Sequence, residues 1–333
     1  MNIVAWNVRG INDPFKQKRV VDRVKFIKAN IVCMLETRVK ENKCQAIFDR
    51  HFKGRKMFNN YSHATNGRIW FLWSGQMQVD MIACTDQCIT CTISTTSEEF
   101  ALSAIYGSNE GVERRRLWAH LNSLQGIIAN KAWLLTGDFN VIAHPSECSS
   151  FDGNQGLSSN IREFTACMQN LAVFDHVYSG PLYTWSNRQG DGFMARKLDR
   201  ALVNCSWLHT FTSSKVEFLS PGVSDHCVAF IKLNLETISP PKPFKFFSCW
   251  TKHGKFMFTV QASWQTPMEG SLMEVLHRKL KRLKTVLRNF NTTYFARISE
   301  RVKDKRKELN EVQTALLSPT NPIKEKIQKE KNF

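Results

Sequence analysis

The chain of 333 residues carries a formal net charge of +17 at pH 7, and 42% of its residues are hydrophobic. This length allows one large domain with an appendage, or two domains, and the apolar content is ordinary for a globular protein with a sizeable core. The N-terminus has no basic segment followed by an apolar one, and no run of about 18 apolar residues occurs, so we expect neither secretion nor a membrane span. The ten cysteines are then expected to be reduced thiols of a nuclear or cytoplasmic protein.

The basic excess is concentrated in the last third of the chain. Residues 1–239 contain 26 Lys and Arg against 21 Asp and Glu, a net charge of +5, whereas residues 240–333 contain 20 against 8, a net charge of +12. A solvated basic helix is one explanation of such a tail. The favoured explanation is contact with a polyanion, and we expect DNA, with RNA as a second partner for the tail.

Apolar periodicity predicts alternating strands and helices through the first two thirds of the chain. In chain order we predict a strand at 2–8, a helix at 16–29, a strand at 31–35, a helix near 41–50, strands at 68–74, 77–84, 88–95 and 100–105, a helix at 112–129, a strand at 132–136, a helix at 158–170, and strands at 181–186, 197–203 and 227–235. Cys84, Cys88 and Cys91 fall in this series, and zinc binding is the less favoured interpretation because no second ligand pair has the spacing of a zinc site.

Gly137-Asp138-Phe139-Asn140 follows the buried strand at 132–136. In extended backbone, residues two apart point the same way, so the carboxylate of Asp138 and the carboxamide of Asn140 would face one point. That pair can hold a water molecule or a phosphate oxygen. The alternative is that Asp and Asn simply form the turn after the strand.

The same layout recurs, because several apolar strands end in a polar or ionisable side chain. These ends are Asn7, Glu36, Tyr106 and Asp138, and Asp199 and Asp225-His226 lie in or beside later strands. Carboxylates that converge cannot all be ionised without a cation, and oxygen ligands suit Mg²⁺ or Mn²⁺. The pattern therefore indicates metal-assisted hydrolysis of a phosphate ester.

Six motifs in this order resemble the endonuclease/exonuclease/phosphatase superfamily. They are Trp6-Asn7-Val8-Arg9-Gly10, Leu35-Glu36-Thr37, Ile105-Tyr106-Gly107, Gly137-Asp138-Phe139-Asn140, Lys197-Leu198-Asp199-Arg200 and Ser224-Asp225-His226. Further segments resemble the apurinic-like endonuclease domain of plant non-LTR (LINE-type) retrotransposons. These are Tyr183-Thr184-Trp185-Ser186-Asn187, residues 198–204, and Pro243-Phe244-Lys245-Phe246 with Trp250. The reverse transcriptase that follows in such elements has no counterpart here.

The resemblance implies a fold and an activity. The fold would be a four-layer α/β sandwich of two packed mixed β-sheets flanked by helices, like DNase I, at residues 1–236, with a basic, mainly helical extension at 237–333. The activity would be Mg²⁺-dependent DNA endonuclease cleavage that leaves a 3′-hydroxyl nick, as in target-primed retrotransposition. The alternatives are a phosphatase or phosphodiesterase of the same fold, and a catalytically silent remnant that binds nucleic acid.

The resemblance also assigns roles to single residues. Glu36 would be the principal metal ligand, with Asn7 and Asp225 close to the metal. Asp138 would orient or deprotonate the attacking water, Asn140 and Tyr106 would hold the phosphate, and His226, fixed by Asp199, would stabilise its developing charge. Ser224 would support these residues without touching the substrate, and Arg9, Arg196 and Arg200 would contact nucleic acid.

The tail carries a heptad-like seam, which is typical of a helix that packs against another helix. Its apolar residues are Leu276, Leu280, Leu283, Leu287, Phe290 and Tyr294. This helix can pack on the endonuclease, pair with a helix of a partner, or contact the missing polymerase domain. Residues 240–243 are Pro-rich and are predicted to be an extended linker.

Overall fold

The computed structural model describes residues 1–64, 67–96, 98–128, 131–151, 157–189, 192–233, 244, 246–270 and 272–317. The predicted linker at 240–243 lies outside this part of the chain. The molecule divides into two compact units, one made of Met1–Leu235 with Asn310–Phe333 and the other of Glu236–Leu309. No helix within the described ranges is long and apolar enough to span a membrane.

Fifteen strands and eight α-helices are present in the described residues. The strands are β1 (Asn2–Asn7), β2 (Ile31–Leu35), β3 (Arg55–Asn59), β4 (Ile69–Ser74), β5 (Gln78–Cys84), β6 (Cys88–Ser94), β7 (Glu99–Tyr106), β8 (Ala132–Asp138), β9 (Val173–Asp175), β10 (Tyr178–Ser179), β11 (Trp185–Ser186), β12 (Ala195–Arg196), β13 (Asp199–Asn204), β14 (Lys215–Leu219) and β15 (Val228–Lys232). The helices are α1 (Pro14–Ile27), α2 (Glu41–His51), α3 (Gly111–Ile128), α4 (Ser159–Asn170), α5 (Cys205–Thr210), α6 (Phe256–Gln265), α7 (Leu272–Tyr294) and α8 (Ala296–Leu316). Short 3₁₀ helices occur at Pro145–Glu147 and Ser248–Lys252.

Two mixed sheets form the body of the first unit. The larger has the strand order β10-β14-β15-β1-β2-β4-β3, and the smaller has the order β5-β6-β7-β8-β13-β9. One parallel pair lies at the centre of each sheet, β1 with β2 and β7 with β8, and the strands next to these pairs run antiparallel. A separate two-stranded sheet joins β11 and β12.

Side-chain alternation along the central strands produces four layers. Ile3 and Ala5 of β1 face the core between the two sheets, whereas Val4 and Trp6 face the helices α1 and α2. On the other sheet the helices α3 and α4 cover the outer face. Because both faces of the central strands are buried, their sequences are nearly continuous apolar runs. The predicted four-layer α/β sandwich is confirmed.

The direction and pairing of the strands bring the polar strand ends to one edge of the sandwich. The parallel strands β1 and β2 finish side by side at Asn7 and Leu35, and β7 and β8 finish side by side at Tyr106 and Asp138. The antiparallel strand β13 begins at Asp199, directly opposite Asp138. The packed sheets therefore present the ends of five strands to a single region of the surface.

The second unit has its own small apolar core. Trp250 and Phe256 pack there with Leu287 and Phe290 of α7. The predicted seam is thus buried at its C-terminal end, whereas Leu276 and Leu280 are 42% and 51% exposed. The helical segment is also divided, since α7 ends at Tyr294 and α8 begins at Ala296.

The end of α8 belongs to the first unit. Ser220 Oγ donates a hydrogen bond to Asn310 Oδ1 at 2.7 Å. Gln313 makes two hydrogen bonds with the backbone of Gly222, accepting from its N–H at 3.1 Å and donating to its carbonyl oxygen at 3.2 Å. Asn310 and Gln313 therefore contribute contacts to the sandwich.

Candidate active site

The centre of the candidate site is the side chain of Asn7, at the end of β1. Its Nδ2 donates to Glu36 Oε2 at 2.9 Å and to Asp138 Oδ2 at 2.8 Å. Glu36 follows β2 in the same sheet as Asn7, whereas Asp138 ends β8 in the other sheet. One amide therefore holds two carboxylates together across the sandwich.

His226 and Asp199 form a buried pair beside this centre. His226 Nδ1 lies 3.0 Å from Asp199 Oδ2 and donates a hydrogen bond to it, and His226 Nε2 lies 3.7 Å from Asp138 Oδ2. Burial lowers the pKa of His226, but Asp199 and Asp138 raise it by more, so the net shift is upward. The carboxylate of Asp199 thus fixes the ring so that Nε2 faces Asp138.

Asp138, Asp199 and His226 form a compact group whose ligating atoms all lie within 4.8 Å of one another. Burial raises the pKa of Asp138, His226 opposes the shift and Asp199 adds to it, and the net value is about 6. A raised carboxyl pKa indicates that negative charge in this buried place is not fully compensated. The oxygen donors of Asp138 and of nearby Glu36 therefore fit a divalent cation such as Mg²⁺ or Mn²⁺.

Tyr106 and Asn140 lie on either side of Asp138. Tyr106 is the strand neighbour of Asp138, and burial, with Glu36 and Asp138, raises the pKa of its phenol, which stays a proton donor at neutral pH. The extended-backbone argument for Asn140 is wrong, because β8 ends at Asp138 and Asn140 has a left-handed φ of +51°. Asn140 N instead donates to Asp138 Oδ1 at 2.9 Å, and its Nδ2 donates to Gly107 O at 2.7 Å.

Ser224 and Asp225 connect the last loop to β1. Ser224 Oγ donates to the carbonyl oxygen of Asn7 at 2.6 Å. Asp225 Oδ2 accepts from Trp185 Nε1 at 2.9 Å and forms an ion pair with Arg9. Asp225 therefore lies at the edge of the site, outside the compact group of three.

Arg200 does not contact nucleic acid, which corrects the expectation from sequence. It is completely buried, and its two terminal nitrogens pair with Glu147 and Asp175. The buried amine of Lys197 adds a second cation to this network, 3.1 Å from Asp175 Oδ2. Arg196 is half-buried at the two-stranded sheet, where it faces Trp185 and Cys148, and Arg9 has 48% of its side chain exposed.

Three contributors were missed by sequence reasoning. Thr184 Oγ1 accepts from the backbone N–H of Leu198 at 3.0 Å and of Asp199 at 2.8 Å, which positions Asp199. Trp185 holds Asp225, and Arg38 forms an ion pair with Glu36. The signal for the first two was their place in the segment 183–187 that carries the retrotransposon resemblance. The signal for Arg38 was its position, because it is a basic residue two places after the strand-end carboxylate of Glu36.

The zinc interpretation of the cysteines fails for a geometric reason. Residues three apart in a strand point to opposite faces, and Cys91 faces the core between the sheets while Cys88 faces the helices. Burial raises the pKa of the Cys88 thiol to about 12, which disfavours the thiolate that zinc requires. Within the described ranges, the group of Asp138, Asp199 and His226 is the one with metal-ligand spacing.

Comparisons with known proteins support the fold. No curated protein matches the chain. The endonuclease domain of TRAS1, a telomere-specific non-LTR retrotransposon, has a similar structure, with a TM-score of 0.56 and 13% identity, covering 71% of this chain and 99% of that domain. The AP endonuclease LMAP from Leishmania major gives a TM-score of 0.51 and 15% identity, covering 69% of this chain and 86% of that protein.

These likenesses concern the fold, and the family follows from the sequence. Residues 4–226 match the Endonuclease/Exonuclease/phosphatase family, a range that contains every strand-end residue of the site. The superfamily expected from the six motifs is confirmed. The chain belongs to the endonuclease/exonuclease/phosphatase family.

Proposed function

We propose that this chain is a divalent-metal-dependent DNA endonuclease that hydrolyses one phosphodiester bond and leaves a 3′-hydroxyl end. The observation that carries the proposal is the buried pair of His226 and Asp199, with Nε2 of the imidazole facing Asp138 at 3.7 Å. A fixed imidazole next to a carboxylate of raised pKa combines a donor for a phosphoryl oxygen with an acceptor for a proton of water.

Glu36 and Asn7 would hold the cation, with Asp225 nearby. The carboxylates of Glu36 and Asp138 meet at one amide, whereas Nδ1 of His226 and Oδ2 of Asp199 already occupy each other. Asp199 is thus committed to His226, whereas Glu36, whose partners are Asn7 and Arg38, is proposed as the ligand. When bound, Mg²⁺ or Mn²⁺ supplies a Lewis acid that polarises the phosphate.

The side chains of the site have separate roles in the remaining steps of hydrolysis. Asp138 orients the attacking water and accepts its proton, and a carboxyl pKa of about 6 suits that task near neutral pH. His226 donates from Nε2 to the phosphoryl oxygen as negative charge develops, and Tyr106 donates from its phenol. Asn140, held to Asp138, positions the phosphate. The bond between phosphorus and the 3′ oxygen breaks, the phosphate stays on the 5′ side, and the 3′ oxygen takes up a proton from water to become the hydroxyl.

Charge favours DNA over a small phosphate monoester or a lipid headgroup. The chain has a net charge of +17, and the tail beyond residue 239 supplies +12 of it. Contacts of Lys and Arg with phosphates add affinity without sequence information. The basic helices α7 and α8 are therefore proposed to add affinity for DNA or RNA. The alternatives are a phosphatase and a remnant without catalytic activity. An assay on plasmid DNA distinguishes both from an endonuclease.

The test is nicking of supercoiled plasmid by the full chain. We expect conversion to the open circle with Mg²⁺ and none with EDTA. A DNA polymerase should then extend the nicked ends without prior phosphatase treatment, because only a 3′-hydroxyl can be extended. Nicking that is equally fast in EDTA would contradict the metal requirement, and nicks that need phosphatase before extension would contradict the proposed bond.

A further inference from the structure

Four basic side chains lie beside the acidic site, three of them bonded to its residues and the fourth to the backbone of Arg9. Arg9 forms an ion pair with Asp225, and Arg38 forms one with Glu36. Arg188 donates to the carbonyl oxygen of Ser224, and Lys16 Nζ donates to the carbonyl oxygen of Arg9 at 3.0 Å. Arg9, Lys16, Arg38 and Arg188 are called the cationic collar below.

The members of the collar lie close enough to repel one another. The pKa of Lys16 is lowered, first by burial and then by Arg38, Arg9 and Arg188, while Glu36 acts in the opposite direction. Like charges held together cost stability unless an anion joins them. The two arginines next to the carboxylates also remain accessible, with 48% of the Arg9 side chain and 56% of the Arg38 side chain exposed.

The backbone holds the collar arginines in an unusual conformation. Arg9, Arg38 and Arg188 have φ angles of +46°, +53° and +53°, in the left-handed region that non-glycine residues rarely adopt. Such conformations persist where the surrounding structure fixes them, and they concentrate at binding sites.

Hydrogen bonds between the loops after β1 and β2 fix two of these arginines. Gly10 N donates to Glu36 O at 2.7 Å, and Ile11 N donates to Thr37 O at 2.9 Å. The two loops are therefore hydrogen-bonded to each other and present both guanidinium groups beside the carboxylates.

We infer that the cationic collar binds the phosphates that flank the scissile one, and so selects a polynucleotide strand over an isolated phosphate ester. This inference rests on the proposed endonuclease function and names the residues that recognise the substrate. A guanidinium binds phosphate through paired N–H groups, and several such groups around one site match a chain of phosphates. The collar takes the place of Arg200, which is buried in its own ion pairs.

The test compares substitutions in the collar with matched substitutions outside it. Lys16→Gln and Arg38→Gln each remove one collar charge. Lys18→Gln removes an exposed charge from the same helix as Lys16, about 200° around the helix axis, and Arg50→Gln removes an exposed arginine from α2. Arg38→Lys keeps the charge. Circular dichroism and thermal melting of every variant establish that it is folded.

Binding of a short fluorescein-labelled DNA duplex is measured by anisotropy in EDTA, between about 50 and 200 mM NaCl. Each collar substitution should weaken binding about three- to tenfold and reduce the slope of log K against log salt by about 1, whereas the two controls should not. Arg38→Lys should keep most of the salt slope. With Mg²⁺ present, hydrolysis of bis(p-nitrophenyl) phosphate, which has a single phosphodiester, should change less than about twofold in Lys16→Gln, because Lys16 Nζ donates to the carbonyl oxygen of Arg9 rather than to a site carboxylate.

The outcomes separate the collar from the proposed function. Collar variants that bind DNA as the Lys18→Gln control does would overturn the inference, even if plasmid nicking is intact. A weakened affinity and salt slope in a protein that fails to nick DNA would support the collar and contradict the endonuclease. Equal losses for the duplex and for the small diester would also overturn it, because the collar would then act on the scissile phosphate alone.

Discussion

At the scale of single residues, the site is organised by uncompensated negative charge. Asn7 donates to Glu36 and Asp138, and His226 lies between Asp138 and Asp199. Stability near the site is therefore expected to depend on pH and on divalent cations.

The first prediction concerns the pH dependence of the metal-free protein. The pKa of Asp138 in the folded chain is about 6, raised from its ordinary value of 3.8, so between these values the folded state binds more protons than the unfolded state. Its contribution to the free energy of unfolding is present below about pH 4 and is lost as pH rises through about 6, a change of about 3 kcal/mol. Mg²⁺ should restore part of it.

Urea unfolding of the wild type and of Asp138→Asn, each in EDTA, measures this effect. We expect the difference in free energy of unfolding between the two proteins to shift in favour of the variant as pH rises from about 4 to about 7. A difference that stays constant across this range would mean that Asp138 is not the group responsible.

At the scale of elements, long apolar runs were predictable and short polar ones were not. The central strands and α1 to α4 were predicted within a few residues. The central strands are buried on both faces and therefore have continuous apolar sequences. Strands β3 and β14 at Arg55–Asn59 and Lys215–Leu219 were missed, since these short, partly exposed strands carry charged residues. The strand predicted at 181–186 is reduced to Trp185–Ser186, and Thr184 before it is a hydrogen-bond acceptor for the start of β13.

The site residues, like the elements, could be predicted from sequence only in part. Strand-end residues such as Asn7 and Asp138 were found because a polar side chain after an apolar run stands out. Arg38 and Arg188 could not be placed, since their positions depend on left-handed backbone and on loops that only the fold brings together. Arg200 was misplaced because a basic residue in a strand gives no sign of whether it faces solvent or buried carboxylates.

The second prediction uses two leucines of the heptad-like seam in α7. Leu287 is 4% exposed and packs with Trp250 and Phe256, whereas Leu280 is 51% exposed. Leu287→Ala should lower the free energy of unfolding of the helical unit by about 2–4 kcal/mol, through lost burial and a cavity. Leu280→Ala should change it by less than about 1 kcal/mol. Chemical denaturation followed by circular dichroism at the helix band measures both, and equal effects would contradict the packing of the seam.

At the scale of the whole molecule, two sheets and a charge distribution define the protein. Residues separated by more than 200 positions, such as Asn7 and His226, meet because the parallel strand pairs of both sheets end at one edge. The sandwich provides the candidate chemistry, and the tail provides most of the positive charge. We expect the hydrolysis of DNA to take place where the two sheets meet.

The rate of plasmid nicking by a matched pair of histidine variants shows whether it does. His226 is buried in the site, and His209 is exposed on α5. With Mg²⁺ at saturating DNA, His226→Ala should nick about 10²- to 10⁴-fold more slowly than the wild type, because a positioned donor to the phosphate is lost. His209→Ala should nick at the wild-type rate. Nicking by a folded His226→Ala protein at the wild-type rate would show that the chemistry happens elsewhere.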